Sequence, residues 1–289
     1  MKILIAGAAG MLGRDAQSAG ERGGHELVPV DLPELDITDA GAVEAFLRER
    51  GPEAVLNCAA WTDVDGAETH REQAHAVNAE GAGNLARAAA TLEIPMLHIS
   101  TDYVFDGRAP LDAEGRRRPY VESDPTGPSS VYGQSKLAGE QQVLAASPRH
   151  AVVRTAWLYG VHGRNFVDTM LRLAQEREAV QVVDDQIGSP TWSGHLAPAA
   201  LGLLERGVSG LVHHTGAGAV SWNGFAQEIF RQAERPCRVE ALSSEQMARP
   251  APRPAWSVLE SERADVLPMP DWREGLAGYL AARTGMMRT

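Results

Sequence analysis

Short apolar runs alternate with longer segments of helical periodicity in the first half of the chain. The runs are bounded by glycine or polar residues, as buried parallel strands are, and the segments between them space their apolar residues for one helix face. This uninterrupted alternation predicts an α/β fold with a doubly wound parallel sheet. The predicted strands are residues 2–6, 26–30, 54–58, 96–100 and 150–154, and the predicted helices are residues 11–20, 39–50, 71–92 and 132–146.

The alternation becomes less regular in the second half of the chain. The stretch DDQIGSPTW and a proline-rich stretch at residues 249–256 are predicted to be loops. Around them the pattern predicts strands at residues 180–183 and 211–214, and helices at residues 165–177, 193–206, 222–234 and 271–283.

Three glycines follow the first strand, at Gly7, Gly10 and Gly13. Between a strand and a helix, this spacing allows a tight turn and a close approach of the backbone to a pyrophosphate. A glycine-rich turn that binds no ligand is the alternative. Asp31 ends the second strand, where a carboxylate can bind adenosine ribose hydroxyls and repel a 2′-phosphate. That favours NAD(H) over NADP(H), although Asp31 can also be a simple turn cap.

The glycine loop and the strand order together predict a Rossmann-type sheet. We assign residues 1–160 to an NAD(P)-binding Rossmann domain. Residues 161–289 form a smaller C-terminal α/β lobe that binds the substrate, and its segments are expected to interleave with the first domain.

Tyr132 and Lys136 lie four residues apart in a predicted helix, so their side chains share one face. A nearby ammonium lowers the pKa of a phenol by roughly 1–3 units, so the pair can move a proton to or from an adjacent oxygen. Carbonyl reduction beside a hydride donor needs such a transfer. The chain has only two lysines, Lys2 and Lys136, among 27 basic residues. A lysine is therefore used where arginine is the rule, which favours a functional role.

Other polar and aromatic residues come at the predicted strand ends, where ligands of parallel sheets bind. Thr101 can hydrogen-bond a substrate carbonyl or simply cap its strand. Trp157 can stack on a sugar ring or belong to the core. Residues 107–128 are rich in proline, glycine and charge, and we expect them to form a loop over the site, with the arginine run at residues 116–118 in solvent.

Composition narrows the classes of partner. A formal charge of −11 argues against nucleic acid and anionic membrane surfaces. Two cysteines do not build a disulfide framework, and no apolar run has the roughly 20 residues of a bilayer span, so we expect a cytoplasmic protein. The nine histidines show no metal-ligand spacing, and we predict no metal site.

With its glycines, Thr101 and the Tyr132–Lys136 pair in this order, the chain resembles the extended short-chain dehydrogenase/reductases. Within them it is similar to the dTDP-4-dehydrorhamnose reductase family. The resemblance runs nearly end to end and rests on the blocks STDYVFDG, VYGQSKLAGE, RTAWLYG, NFVDTMLRLA, DDQIGSPT and RPAWS.

The resemblance implies reduction of the C4 ketone of dTDP-4-dehydro-L-rhamnose to dTDP-L-rhamnose by hydride from NADPH or NADH. At the matching positions Tyr132 would donate the proton, Lys136 would hold the nicotinamide ribose, and Thr101 would polarise the carbonyl. The nucleotide sugar would be contacted by Thr101, Asp102, Tyr132, Trp157 and Arg253. The cofactor would be bordered by Gly7, Gly10, Met11, Leu12, Gly13, Asp31, Asp36, Ile37, Ala60, Trp61 and Thr62, besides Tyr132 and Lys136.

Related activities remain open from the sequence. The chain has Tyr103 where sugar 4,6-dehydratases carry a glutamate, and Thr101 where 4-epimerases usually carry serine. A reductase or epimerase of another nucleotide-linked deoxysugar is one alternative, and a non-catalytic regulatory subunit is another. Some relatives dimerise around a magnesium ion held by glutamates. This chain has Asp15 and Gly194 in those regions, so we expect a monomer or a homodimer without that ion.

Overall fold

A six-stranded parallel sheet forms the centre of the protein. The computed structural model describes residues 1–286, and the strands of this sheet follow the order β10-β5-β4-β3-β1-β2. Parallel pairing throughout explains why these strands are apolar runs rather than alternating ones, because both faces are covered. The strands are β1 (Lys2–Ala6), β2 (Glu26–Val30), β3 (Ala54–Asn57), β4 (Met96–Thr101), β5 (Ala151–Thr155) and β10 (Gly210–His213).

Helices cover both faces of the sheet, which confirms the predicted doubly wound arrangement. On one face α1 (Met11–Arg22) and α8 (Ser193–Glu205) bury their apolar residues with Ile3 and Ile5. On the other face α2 (Ala40–Arg50) and α5 (Ala82–Thr91) do so with Leu4. The other helices in the first half of the chain are α3 (Val64–Thr69), α4 (Arg71–His75) and α6 (Val131–Ala146).

The rest of the second half forms smaller sheets packed with three helices. A parallel pair, β7 (Ala179–Val183) and β12 (Arg238–Leu242), packs with the helices around Phe225 and Trp272. The helices are α7 (Phe166–Glu176), α9 (Trp222–Gln232) and α10 (Trp272–Met286). The remaining strands are two residues long: β6 (Leu158–Tyr159), β8 (Ile187–Gly188), β9 (Thr191–Trp192), β11 (Val220–Ser221) and β13 (Trp256–Ser257).

The helix predicted at residues 71–92 is confirmed as one helical run, but it contains a π-helical segment that was not predicted. It consists of α4, a π-helical segment at Ala76–Gly81, and α5, and the separate helix α3 precedes it. The π-helical segment brings Asn78 against α6, where a Cβ at Gly139 would lie 2.1 Å from the Asn78 carbonyl oxygen. The stretch predicted as a polar loop contains β8 and β9, and β12 was not predicted. Strands of two residues are too short to show a period.

A buried ion pair ties α6 to the sheet. Glu140 on α6 accepts two hydrogen bonds from the Arg154 guanidinium on β5, at 2.9 and 2.7 Å. Both side chains are 2% exposed, and the Ser100 hydroxyl at the end of β4 donates to the same carboxylate at 2.5 Å. Bidentate geometry fixes direction as well as distance. The pair therefore sets how α6 lies over the carboxyl ends of β4 and β5.

Candidate active site

The glycine loop between β1 and α1 is closely packed. A Cβ at Gly13 would lie 2.2 Å from the Gly7 carbonyl oxygen, and one at Gly7 would lie 2.5 Å from the Ala59 nitrogen. Gly7 also has a φ of +74°, in the left-handed region. Gly10 precedes α1 and gives it no side-chain cap. The loop thus presents backbone N–H groups at a helix N-terminus, an arrangement that fits a pyrophosphate.

Asp31 lies beside this loop. Its carboxylate accepts hydrogen bonds from the backbone nitrogens of Ala9 and Leu32, each at 2.9 Å. It lines an open cavity of about 500 Å³ together with Arg14 and His162. The cavity therefore combines a carboxylate that can bind ribose hydroxyls with a guanidinium that can bind a phosphate.

The other residues expected at the cofactor surround the same sheet edge. Ile37 is buried against Gly81, whereas Asp36 is exposed and has its pKa lowered by hydrogen bonds from Thr38. Met11 packs near Gly160. The Leu12 side chain belongs to the core around Ile3, so only its backbone faces the loop.

The segment after β3 is held by Asn78, a residue that the sequence reasoning did not single out. The Asn78 amide accepts from the Trp61 nitrogen at 2.8 Å and donates to the Trp61 carbonyl at 3.1 Å. It also donates to the Ser135 hydroxyl on α6 at 2.9 Å. Ala60, Trp61 and Thr62 are thus fixed relative to the helix that carries Tyr132. The only sequence signal for Asn78 is a polar residue on an otherwise apolar helix face.

Lys136 points into the protein from α6. Its ammonium donates to the Ile99 carbonyl oxygen at 2.7 Å and lies 3.1 Å from His98 Nε2. His98 Nδ1 in turn lies 3.0 Å from the Asn57 amide nitrogen. Burial lowers the pKa of Lys136 to about 8, an effect that Glu140 and Cys58 oppose. His98, whose own pKa is lowered well below its usual value by burial, and Asn57 were missed, because a lone His or Asn in an apolar strand carries no distinguishing pattern.

The pKa of the Tyr132 hydroxyl is higher than the sequence analysis expected. Burial raises its pKa to about 12, and the Thr101 hydroxyl is the group that lowers it, while the charge of Asp102 raises it further. Lys136 is not among the groups that shift this pKa, and its ammonium is directed to the Ile99 carbonyl and His98 instead. Tyr132 is therefore a neutral phenol at physiological pH, which is the protonation state that a proton donor requires.

Thr101 and Asp102 lie at the end of β4, next to Tyr132. The Thr101 hydroxyl donates to Asp102 Oδ1 at 3.0 Å, and Asp102 Oδ2 has no hydrogen-bond partner among residues 1–286. Burial raises the pKa of Asp102 to about 7, opposed by the hydroxyls of Ser257 and Thr101. An unpartnered carboxylate oxygen in a buried position is a ready acceptor or donor for a ligand hydroxyl. Ser257, which belongs to the RPAWS block, is another site neighbour that the sequence reasoning missed.

Trp157 and Arg253, the other two residues expected at the substrate, are each held by neighbouring side chains. The Trp157 indole stacks on Trp222, and a Cβ at Gly188 would lie 2.4 Å from Trp157 Cε2. Arg253 is mostly buried and pairs with Asp65 on α3 at 3.0 Å. The guanidinium thus has a fixed position, unlike that of a solvated surface arginine.

The residues described contain no group of three or more side chains that could hold a metal ion. Asp15 accepts a hydrogen bond from Ser193 and lies 3.7 Å from His162. None of the helices in the described chain is both long enough and apolar enough to span a membrane.

Comparisons with known proteins agree with this geometry. A family model described as the RmlD substrate binding domain matches residues 1–284. A dTDP-4-dehydrorhamnose reductase of Mycolicibacterium smegmatis is 46% identical over 290 residues, which cover 98% of this chain and 86% of the relative. The solved structure of a dTDP-4-dehydrorhamnose reductase from Clostridium acetobutylicum superposes with a TM-score of 0.93 at 41% identity, covering 98% of this chain and 100% of that one. That of the Bacillus anthracis enzyme in complex with NADP has a TM-score of 0.92 at 38% identity, covering 97% and 99%.

The parallel sheet, the glycine loop and the Tyr132–Lys136 helix define a Rossmann-type protein of the extended short-chain dehydrogenase/reductase class. The chain belongs to the RmlD substrate-binding-domain family, to which it matches over almost its whole length. This confirms the resemblance drawn from the sequence blocks.

Proposed function

We propose that this protein reduces the C4 ketone of dTDP-4-dehydro-L-rhamnose to dTDP-L-rhamnose with NADPH or NADH. The observation that carries the proposal is the meeting of Thr101, Tyr132 and Lys136 beside the glycine loop, in a chain whose relatives include named dTDP-4-dehydrorhamnose reductases. The complete set argues against a non-catalytic subunit.

The side chains suggest a division of roles. A bound reduced nicotinamide supplies the hydride for C4. Tyr132 donates its phenolic proton to the C4 oxygen, so the ketone gains one hydride and one proton and becomes a hydroxyl. Thr101 donates a hydrogen bond to the same oxygen and stabilises the charge that develops there. Lys136, in its ammonium form, would bind the nicotinamide ribose hydroxyls, and the Thr101 hydroxyl favours the phenolate left after transfer.

The sugar and the diphosphate are assigned to the other side of the site. Asp102 Oδ2 accepts or donates a hydrogen bond to a sugar hydroxyl, and Trp157 packs against the ring. Arg253, held by Asp65, faces the diphosphate. These contacts fit a division into a cofactor domain at residues 1–160 and a substrate lobe at residues 161–289, with α8 and β10 interleaved into the first. We propose a cytoplasmic enzyme that is a monomer or a homodimer.

The cofactor pocket supports use of both nicotinamides with a preference for NADH. Asp31 repels a 2′-phosphate, while Arg14 in the same cavity attracts one. Asp31→Ala removes the repulsion of the 2′-phosphate, so it should reduce the preference for NADH over NADPH. The turnover of the saturated enzyme should not change. The measurement is the ratio of kcat/KM for NADH and NADPH, with Asp39→Ala, the exposed cap of α2, as control. An unchanged ratio would return Asp31 to its role as a hydrogen-bond acceptor for Ala9 and Leu32.

The decisive experiment is oxidation of NADH and NADPH, followed by loss of the reduced-nicotinamide absorbance, with dTDP-4-dehydro-L-rhamnose generated in situ. Rapid oxidation that depends on the sugar, with dTDP-L-rhamnose as product, is the expected result. If the protein binds both cofactors but oxidises neither, the reductase proposal fails for this sugar. The remaining hypotheses are then another nucleotide-linked deoxysugar or a regulatory role.

A further inference from the structure

Two tryptophans from distant parts of the chain form one flat stack. The rings of Trp157, which follows β5, and Trp222, the first residue of α9, are 3.6 Å apart between centroids and only 4° from parallel. Phe166 packs at a tilt against Trp222, with 4.6 Å between the ring centroids. Trp222 therefore covers one whole face of the Trp157 indole.

The backbone at Trp157 adopts a conformation that its surroundings must hold. Its φ is +48°, in the left-handed region where residues with side chains are rare. Its carbonyl accepts a hydrogen bond from the Thr191 nitrogen at 3.3 Å, and the absence of a side chain at Gly188 leaves room for the edge of the indole. Backbone strain of this kind persists where packing over-determines it and is frequent at ligand sites.

The stack lies against the groups assigned to the reaction. A Cβ at Gly188 would contact both Trp157 and the Ser257 hydroxyl, at 2.4 and 2.7 Å. Ser257 is in turn one of the hydroxyls that lower the pKa of Asp102. The edge of the Trp157 indole thus lies beside Ser257, and Ser257 in turn lies beside Asp102, which accepts a hydrogen bond from Thr101.

We propose that Trp222 is a positioning residue that holds the Trp157 indole as a fixed platform for the deoxyhexose ring of the substrate. This inference rests on the proposed function. A 6-deoxyhexose presents C–H groups that pack on an indole face, and the gain in affinity is largest when the indole does not have to be ordered on binding. Trp222 touches no reacting atom and acts through Trp157 alone.

The test compares binding of dTDP-L-rhamnose with binding of dTDP, which has the same nucleotide and diphosphate but no sugar. Measured by calorimetry, the affinity for dTDP-L-rhamnose should be about 3- to 10-fold lower in Trp222→Leu than in the unchanged protein. The affinities for dTDP and NADPH should not change. Trp222→Phe keeps a smaller aromatic ring, so its affinity for dTDP-L-rhamnose should lie between those of Trp222→Leu and the unchanged protein. Trp192→Phe is the matched control, because Trp192 lies in the same lobe, packs at a tilt against His195 and has no indole hydrogen bond among the described residues.

A double-mutant cycle separates positioning from a general structural role. In a Trp157→Leu background, Trp222→Leu should cause no further loss of sugar affinity, since the platform is already gone. Additive losses, equal weakening of dTDP, or unchanged affinity for dTDP-L-rhamnose in Trp222→Leu would each overturn the inference. Because binding is measured without turnover, these outcomes differ from a failure of the proposed function, in which the unchanged protein itself fails to distinguish dTDP-L-rhamnose from dTDP.

Discussion

In the proposed reaction, two side chains on α6 have different roles that follow from their pKa values. Burial places the pKa of Tyr132 at about 12 and that of Lys136 at about 8. At neutral pH the phenol therefore carries the proton that is to be transferred, while the amine is still mostly charged. The two groups share one helix face, but the Lys136 ammonium is hydrogen-bonded to His98 and the Ile99 carbonyl and not to Tyr132.

Tyr132→Phe should reduce turnover by roughly 10²–10⁴-fold, since it removes the proton donor and little else. Affinity for NADPH, measured by fluorescence titration, should stay within a factor of about two, well below the tenfold change that 1.4 kcal/mol represents. Tyr159→Phe is the control, because the buried Tyr159 hydroxyl has no partner within residues 1–286. Near-normal turnover of Tyr132→Phe would mean that another group supplies the proton.

Lys136→Arg should lower kcat/KM by about tenfold or more, because a guanidinium fork does not fit a site built for a point donor. In the unchanged enzyme, kcat/KM should fall as the pH rises through about 8, where Lys136 loses its proton and its charge. The arginine variant keeps its charge, so its residual activity should lack this fall. Lys2→Arg, at the other lysine, which pairs with Glu26 near the surface, should match the parent at every pH.

At this scale the sequence was informative where residue type was unusual. Lys136, one of only two lysines in an arginine-rich chain, and Tyr132, four residues before it, are identified as catalytic candidates in this way. His98, Asn57, Asn78 and Ser257 could not be found that way. Each is an ordinary polar residue that becomes important through contacts with residues 17 or more positions away in the chain.

At the scale of elements, the position of α6 depends on close contacts that only glycine permits. A Cβ at Gly139 would lie 2.1 Å from the Asn78 carbonyl oxygen, and one at Gly133 would lie 2.2 Å from that of Tyr103. The helix predicted at residues 132–146 agrees with α6, which spans Val131–Ala146. The π-helical segment around Asn78 was not predicted, because an extra residue in one helical turn depends on packing against α6 and not on the local sequence pattern.

Gly139→Ala should therefore push α6 away from the π-helical segment. We expect a loss of about 1–3 kcal/mol in the free energy of unfolding, as for overpacked cores, together with a fall in kcat as Tyr132 and Lys136 move. Denaturant unfolding and steady-state kinetics measure the two effects. Gly285→Ala on α10, where a Cβ would meet nothing within 4 Å, should leave both unchanged or slightly raise stability. Equal behaviour of the two variants would contradict the close contact.

At the scale of the molecule, the two halves of the chain complete one sheet. The edge strand β10 comes from residues 210–213, beyond the boundary at residue 160 predicted for the first domain, and pairs with β5. The helix α8 packs on α1, and its Leu196, Leu201 and Leu204 join the same core as Ile3. The sequence analysis expected interleaving only in general terms, because a four-residue strand that joins a distant sheet carries no signal of its partner.

Residues 1–160 should accordingly fail to fold as an independent cofactor domain. Without α8, the face of the sheet that contains Ile3 and Ile5 loses its cover. Without β10, the fully buried strand β5 becomes an exposed edge of the kind that promotes aggregation. The fragment should be insoluble or should unfold without a cooperative transition. The full chain should unfold in a single transition that coincides by circular dichroism and tryptophan fluorescence, and NADPH should raise its midpoint. A soluble fragment 1–160 that unfolds cooperatively and binds NADPH would show instead that β1 to β5 with their helices are sufficient for the cofactor site.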